Sequence, residues 1–109
     1  MTALSLRLTK IGSGDFLLEP AKSLNIREQS IHIEHITDRL LQARASRLFY
    51  DLSGIALIDP LYYSWLDALA RATQTVNVKM ICINMQPTAA FALSKFLHKK
   101  PIFETAHSV

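Results

Sequence analysis

What this chain can fold into is set first by the order of its apolar patterns, which alternate between strand-like and helix-like periods. Leu4 to Leu8 reads Leu-Ser-Leu-Arg-Leu, the two-residue alternation of a half-buried strand, and Ile11-Gly-Ser-Gly-Asp15 supplies a turn into Phe16-Leu17-Leu18. An opening hairpin is therefore expected. Arg47 to Leu52 and Val76 to Met85 are near-continuous apolar runs, the pattern of strands in the middle of a sheet covered on both faces. Helical patterns separate them, and Ile102-Phe103 reads as a short last strand. Strands alternating with helices need crossover connections and give a sheet with a parallel core. The expected fold is α/β, a mixed sheet of about four to five strands packed with about three helices, in one domain spanning residues 1–109.

Each helix has a start signal. Asn25 with Glu28 three positions later can satisfy two orphan backbone donors reciprocally, which predicts a first helix from about Ile26 to Ala45. At about 100° per residue its inner face carries Ile26, Ile33, Ile36, Thr37, Leu40 and Leu41, while Ile31 points outward. Asp59-Pro60 starts the second helix, since aspartate caps well and proline at the first helical position has no N–H to lose. Its inner face takes Leu61, Tyr62, Trp65, Ala68, Leu69 and Ala72, which leaves Tyr63, Asp67 and Arg71 outside and makes Tyr63 a large aromatic facing water. Gln86-Pro87-Thr88 opens a third helix to about Leu97 with Ala90, Leu93 and Leu97 inward.

Composition narrows the function classes. Half of the 109 residues are hydrophobic, 19% are charged, and three Gly and four Pro are too few for a disordered chain. The net charge is +3, yet the twelve Lys and Arg are dispersed, which argues against nucleic acid or a membrane surface as a partner. Lys95, His98, Lys99 and Lys100 alone gather, as at a solvated helix end. The single Cys82 lies in an apolar run, so it reads as a buried inert thiol in a reducing cytoplasm. No secretory signal pattern and no spanning apolar run occurs.

Motifs that carry catalysis are missing: there is no glycine-rich phosphate loop, nucleophile elbow or zinc-protease signature. His32 and His35 flank Glu34 one turn apart, but zinc sites use three or four ligands and no third is evident, so no metal or other cofactor is assigned. Asp51 and Asp59 flank an apolar segment as an acid–base pair would, although Asp59 is explained as a helix cap and Asp51 as a strand end beside a turn. The hydroxyls of Ser53, Ser64 and Thr88 fit backbone capping, or phosphate acceptance where exposed.

The segment Asp51-Leu52-Ser53-Gly54-Ile55-Ala56-Leu57-Ile58-Asp59 resembles the signature of STAS domains, the fold shared by sulfate transporters and anti-sigma-factor antagonists. Ile83-Asn84-Met85-Gln86-Pro87, followed by Ala89-Ala90-Phe91-Ala92-Leu93, is similar to a segment of stressosome STAS proteins, and Phe103-Glu104-Thr105-Ala106 is similar to that group's ending. The resemblance runs from Leu4 to the C-terminus in order and is nearest to the group's small single-domain scaffold proteins.

It implies a non-enzymatic interaction module that docks a serine/threonine switch kinase or other STAS proteins and forms homo-oligomers. In the family the kinase phosphorylates the residue after the signature aspartate, here Pro60, which has no hydroxyl. A phosphorylation-blind scaffold or antagonist is thus implied, with a partner surface of Ser53, Gly54, Asp59, Pro60, Leu61, Tyr63, Ser64 and Asp67. Two alternatives stay open: a switch moved to another hydroxyl such as Ser53 or Ser64, and a STAS domain that senses a nucleotide, lipid or anion. The family normally adds a final helix, for which no pattern follows Phe103; an uncovered surface would favour self-association.

Overall fold

The computed structural model describes residues 6–97 and 99–109. Five strands, β1 (Leu6–Gly12), β2 (Asp15–Pro20), β3 (Arg47–Asp51), β4 (Lys79–Ile83) and β5 (Glu104–Ala106), form one sheet in the order β1-β2-β3-β4-β5. The β1–β2 hairpin is antiparallel and every later pair is parallel. Three helices, α1 (Gln29–Gln42), α2 (Pro60–Thr75) and α3 (Pro87–Ser94), fill the crossovers. This is the α/β architecture expected. The expected strand start at Leu4 and Ser5, and His98 of the basic group, lie outside the described residues.

The hairpin turn also launches the parallel sheet. Gly14 takes a left-handed φ of 79°, and a Cβ there would stand 3.1 Å from the Ser46 hydroxyl oxygen, so glycine is required on both counts. Its carbonyl accepts from the backbone N–H groups of Ser46 and Arg47, and the Arg47 guanidinium closes a two-pronged ion pair on Asp15 at 2.9 and 2.7 Å. That hydrogen-bonded pairing holds the Asp15 carboxyl below its usual range.

Alternation along the strands sorts two clusters. Phe16, Leu18, Leu48, Tyr50, Met80 and Cys82 face the main core, where they meet Ile36 and Leu40 of α1, Trp65, Leu66 and Leu69 of α2, and Ala89 and Leu93 of α3. Phe49, Ile81 and Ile83 form a separate cluster with Leu17 on the opposite face, and the Arg47 guanidinium lies 5.3 Å over the Phe49 ring. The buried apolar side chains of the helices all belong to the first cluster, so the expected helical cover on both faces is met on one.

Several boundaries and faces differ from expectation. Asn25 accepts from the Arg27 N–H and donates its amide to the Glu28 carboxylate, which closes a 3-10 turn at Ile26–Glu28 and delays α1 to Gln29. A left-handed Arg44 (φ 54°) ends that helix before Ala45. Its buried line runs through Ile36 and Leu40, and Leu41, about 100° further round, is 59% exposed. In α2 the inward set is Trp65, Leu66, Leu69, Ala70 and Thr73. Leu61 falls at its margin and is 45% exposed, while the Thr73 hydroxyl enters the core because it donates to the Ala70 carbonyl at 3.0 Å. In α3 the inward pair is Ala89 and Leu93, which turns Ala90 out. The last strand pairs from Glu104 rather than Ile102, with Phe103 buried just before it.

Candidate functional site

The parallel strands β3 and β4 end side by side, and the connections that leave them are bonded together. Asp51 at the end of β3 accepts through one carboxylate oxygen from the Ser53 N–H at 2.9 Å and from the Asn84 amide at 3.2 Å. Asn84 itself is left-handed at φ 58°, a conformation that asparagine tolerates better than most side chains. One residue on, the Leu52 N–H donates to the Ile83 carbonyl. The Gln86 amide donates to the Ser53 carbonyl at 2.6 Å, and the Thr88 hydroxyl donates to the Ala56 carbonyl. Buried Leu52 and Ile58 pin the two ends of this loop into the core, and the residues between them are exposed or half-buried.

The loop delivers the chain to α2 through Asp59, whose carboxylate accepts from the Tyr62 N–H at 2.7 Å. Pro60 occupies the first helical position and is exposed. Beneath this turn the Trp65 indole N–H donates to the Tyr50 hydroxyl at 2.8 Å, and the hydroxyls of Tyr50 and Tyr62 are 2.6 Å apart. Burial pushes the Tyr62 phenol up to about 12 and the Tyr50 phenol well above its ordinary value, so both stay neutral. The Cys82 thiol is likewise pushed up by burial, the state of an unreactive thiol.

Of the residues singled out from sequence, Ser53, Gly54, Asp59, Pro60 and Leu61 come together at this C-terminal edge of the sheet, all exposed. Ser64 and Asp67 follow Pro60 at four and seven positions along one outer stripe of α2, and Asp67 pairs with Arg71 at 2.8 Å. Tyr63 corrects the expectation of an aromatic facing water. It is half-buried, with its ring centroid 5.7 Å from that of Phe96 and 6.0 Å from that of Phe103. The physical reason is rotation: α2 turns Trp65 and Leu66 inward together, which swings Tyr63 toward the segment after α3.

Sequence reasoning missed Asn84 and Gln86 as supporting partners and the exposure of Leu57 and Phe91, and it gave Thr88 a capping role where its hydroxyl instead holds the carbonyl of distant Ala56. An apolar helix as short as α3 gives little periodicity to find them by. Asp51 and Asp59 hold backbone N–H groups rather than converging as an acid–base pair. His32 sets its ring edge-on to Trp65 with centroids 6.2 Å apart, and its buried Nε2 meets no hydrogen-bond partner among the described residues. Among the described residues no group of three or more His, Cys, Asp or Glu stands together, and no helix is long and apolar enough to cross a membrane.

No protein-family model and no curated protein matches the chain. Solved structures do. A variant of RsbS from Moorella thermoacetica superposes with a TM-score of 0.74 at 13% identity, over 95% of this chain and 87% of that one. A chain of the stressosome, a signal integration and transduction hub, gives 0.63 at 14% identity over 94% and 89%. An anti-sigma-factor antagonist (STAS) domain protein from Planctomyces limnophilus gives 0.59 at 14% identity over 97% and 92%. Identities this low speak for architecture alone, and the architecture they share is that of the STAS fold, which is the fold of this chain.

Proposed function

We propose that this chain is a non-enzymatic interaction module of a partner-switching or stressosome-like signalling system, working in the cytoplasm. Its partner docks on the edge that runs from Ser53 to Asp67. The observation that carries this reading is an exposed Pro60 at the first position of α2, on a loop braced from the neighbouring connection by Gln86 and Thr88. Such bracing presents a surface in one conformation and lowers the ordering cost of binding. The partner is a serine/threonine switch kinase or another STAS-domain protein, in keeping with the resemblance of the Asp51–Asp59 segment and with the likeness to RsbS and a stressosome chain.

Pro60 cannot receive the phosphate of about −1.5 to −2 charges that a serine there would carry at the helix N-terminus. The surface is therefore read as permanently in its unphosphorylated state, that of a scaffold or antagonist blind to the kinase. A switch moved elsewhere is favoured by one observation: Ser64 is exposed one turn beyond Pro60 on the same stripe of α2. A small-ligand function has less support: one cleft of about 380 Å³, lined by Gln74, Asn77, Lys79 and Glu104, lies at the opposite ends of the strands, and another of the same volume, lined by Leu6, Arg7, Glu19 and Ala21, includes no residue of the Ser53–Asp67 edge.

The test is incubation of the wild type and Pro60→Ser with a stressosome-type switch kinase and ATP, followed by phosphate mapping and calorimetric binding. The wild type is expected to bind without phosphate at position 60, and Pro60→Ser to gain one. Phosphate on Ser64 of the wild type selects the moved switch. Binding that survives Leu61→Asp and Ser64→Asp together overturns the docking surface.

A further inference from the structure

We infer that a second copy of this chain docks on the surface formed by Leu57 and Phe91 beside Pro60, so that self-association and partner engagement compete for one edge of the sheet. Leu57 and Phe91 are 61% and 64% exposed. The Thr88 hydroxyl grips the Ala56 carbonyl, which fixes the first turn of α3 next to Leu57. Phe91 stands one turn beyond Thr88, and because Ala89 and Leu93 take the inward side of α3, its ring faces out. Around these two side chains Ala56, Pro60, Pro87 and Ala90 are exposed and uncharged. A braced apolar patch of this kind marks an interaction site rather than ordinary surface.

The charges at its two ends indicate the occupant. The Lys95 ammonium lies 4.5 Å from the centroid of the Phe91 ring, at the α3 end. Asp59, exposed, stands at the α2 end. A patch with a cation at one end and an anion at the other complements itself under a two-fold rotation, which brings Asp59 of each copy to Lys95 of the other. A partner with one sign of charge would meet repulsion at one end, whereas Asp59 and Lys95 of a second copy in this orientation meet opposite charges at both. The consequence for function rests on the interaction reading above: the pair would cover Pro60, and dilution or a tighter partner would release it by mass action.

Light scattering and sedimentation of the full chain across a hundredfold dilution test this. A reversible two-chain mass is expected for the wild type. Phe91→Asp and Leu57→Asp should each weaken it by about thirtyfold or more, the loss typical of a buried anchor, with unchanged circular dichroism. Lys95→Glu should weaken it, and so should Asp59→Asn, which keeps the helix cap. Ile31→Asp, on the outer face of α1, should leave it intact. A single-chain mass at every concentration overturns the proposal, as does a dimer that resists Phe91→Asp and Leu57→Asp. If the chain is monomeric and a stressosome-type kinase still binds the Ser53–Asp67 edge, self-docking fails and the interaction reading stands. A dimer that dissociates with Phe91→Asp, in a chain no such kinase binds, has the opposite meaning.

Discussion

The hydroxyls of Tyr50 and Tyr62 lie 2.6 Å apart, which ties the first turn of α2 to the C-terminal part of β3. Tyr50 is fully buried and already accepts the Trp65 indole N–H, so the three side chains form one polar chain inside an apolar core. Tyr62→Phe keeps the ring and removes one link. It should cost about 1–2 kcal/mol, because a buried hydroxyl then loses a partner. Urea unfolding measures the cost, and faster amide exchange in the first turn of α2 would show where it falls. A variant as stable as the wild type would mean that the link contributes nothing.

The same burial makes the fold sensitive to alkali. Cys82 and Tyr62 have ordinary values of 9.0 and 10.0, and burial raises the first and takes the second to about 12. Both groups hold their protons more tightly when folded than when unfolded, and Tyr50 does the same. The stability this confers is complete below the unfolded values and is lost as pH rises past them. Stability should therefore be level up to about pH 9 and then fall, with the Tyr62 share lost by about pH 12. Denaturant midpoints between pH 7 and 11 check this, and Cys82→Ala should delay the onset toward pH 10.

The sequence made the opening hairpin, the parallel core and the start of α2 legible because each rests on local pattern: two-residue alternation joined by a turn, near-continuous apolar runs between helical ones, and a capping pair. Asp59-Pro60 can do little except cap and begin a helix, and it does. The family resemblance, not local pattern, singles out Ser53, Gly54, Asp59, Pro60 and Leu61, which lie exposed at the C-terminal edge of the sheet. Local pattern failed at Tyr63, which shares the spacing of Asp67 and Arg71 on the outer side of α2 and is half-buried through contacts with Phe96 and Phe103, more than thirty positions away in the chain. It also had no means to pair Gln86 with Ser53 or Thr88 with Ala56, since such bonds exist only once parallel strands place two connections side by side.

Tyr63 and Trp65 separate packing from surface. Trp65→Ala empties a fully buried site and should cost roughly 3–5 kcal/mol. Tyr63→Ala loses one edge-on and one tilted aromatic contact on a half-buried ring and should cost roughly 1–3 kcal/mol, well above the change expected for an exposed residue. Tyr63→Phe retains both contacts and should be nearly neutral. Thermal melts of the three variants give the ranking, and a neutral Tyr63→Ala would return that ring to the surface.

The loop between Leu52 and Asp59 offers two substitutions with opposite consequences. Thr88→Val preserves shape and removes the donor to the Ala56 carbonyl, which is exposed enough to take water instead. Global stability should change by less than about 1 kcal/mol. The loop is then held from the neighbouring connection by Gln86, so amide exchange across residues 53–58 should accelerate while that of β3 and β4 stays as it was. Gly54→Ala acts the other way. An added Cβ meets nothing within 4 Å, and this glycine does not occupy the left-handed region, so alanine fits the backbone already present. It should leave stability unchanged or raise it by about 0.4–1 kcal/mol through the unfolded chain. If Thr88→Val weakens partner binding and Gly54→Ala does not, the loop acts through its bracing. If Gly54→Ala weakens binding in a protein of undiminished stability, the partner approaches the backbone at Gly54 too closely for a methyl group. Equal protection of residues 53–58 in Thr88→Val and wild type would show that the bond to Ala56 braces nothing.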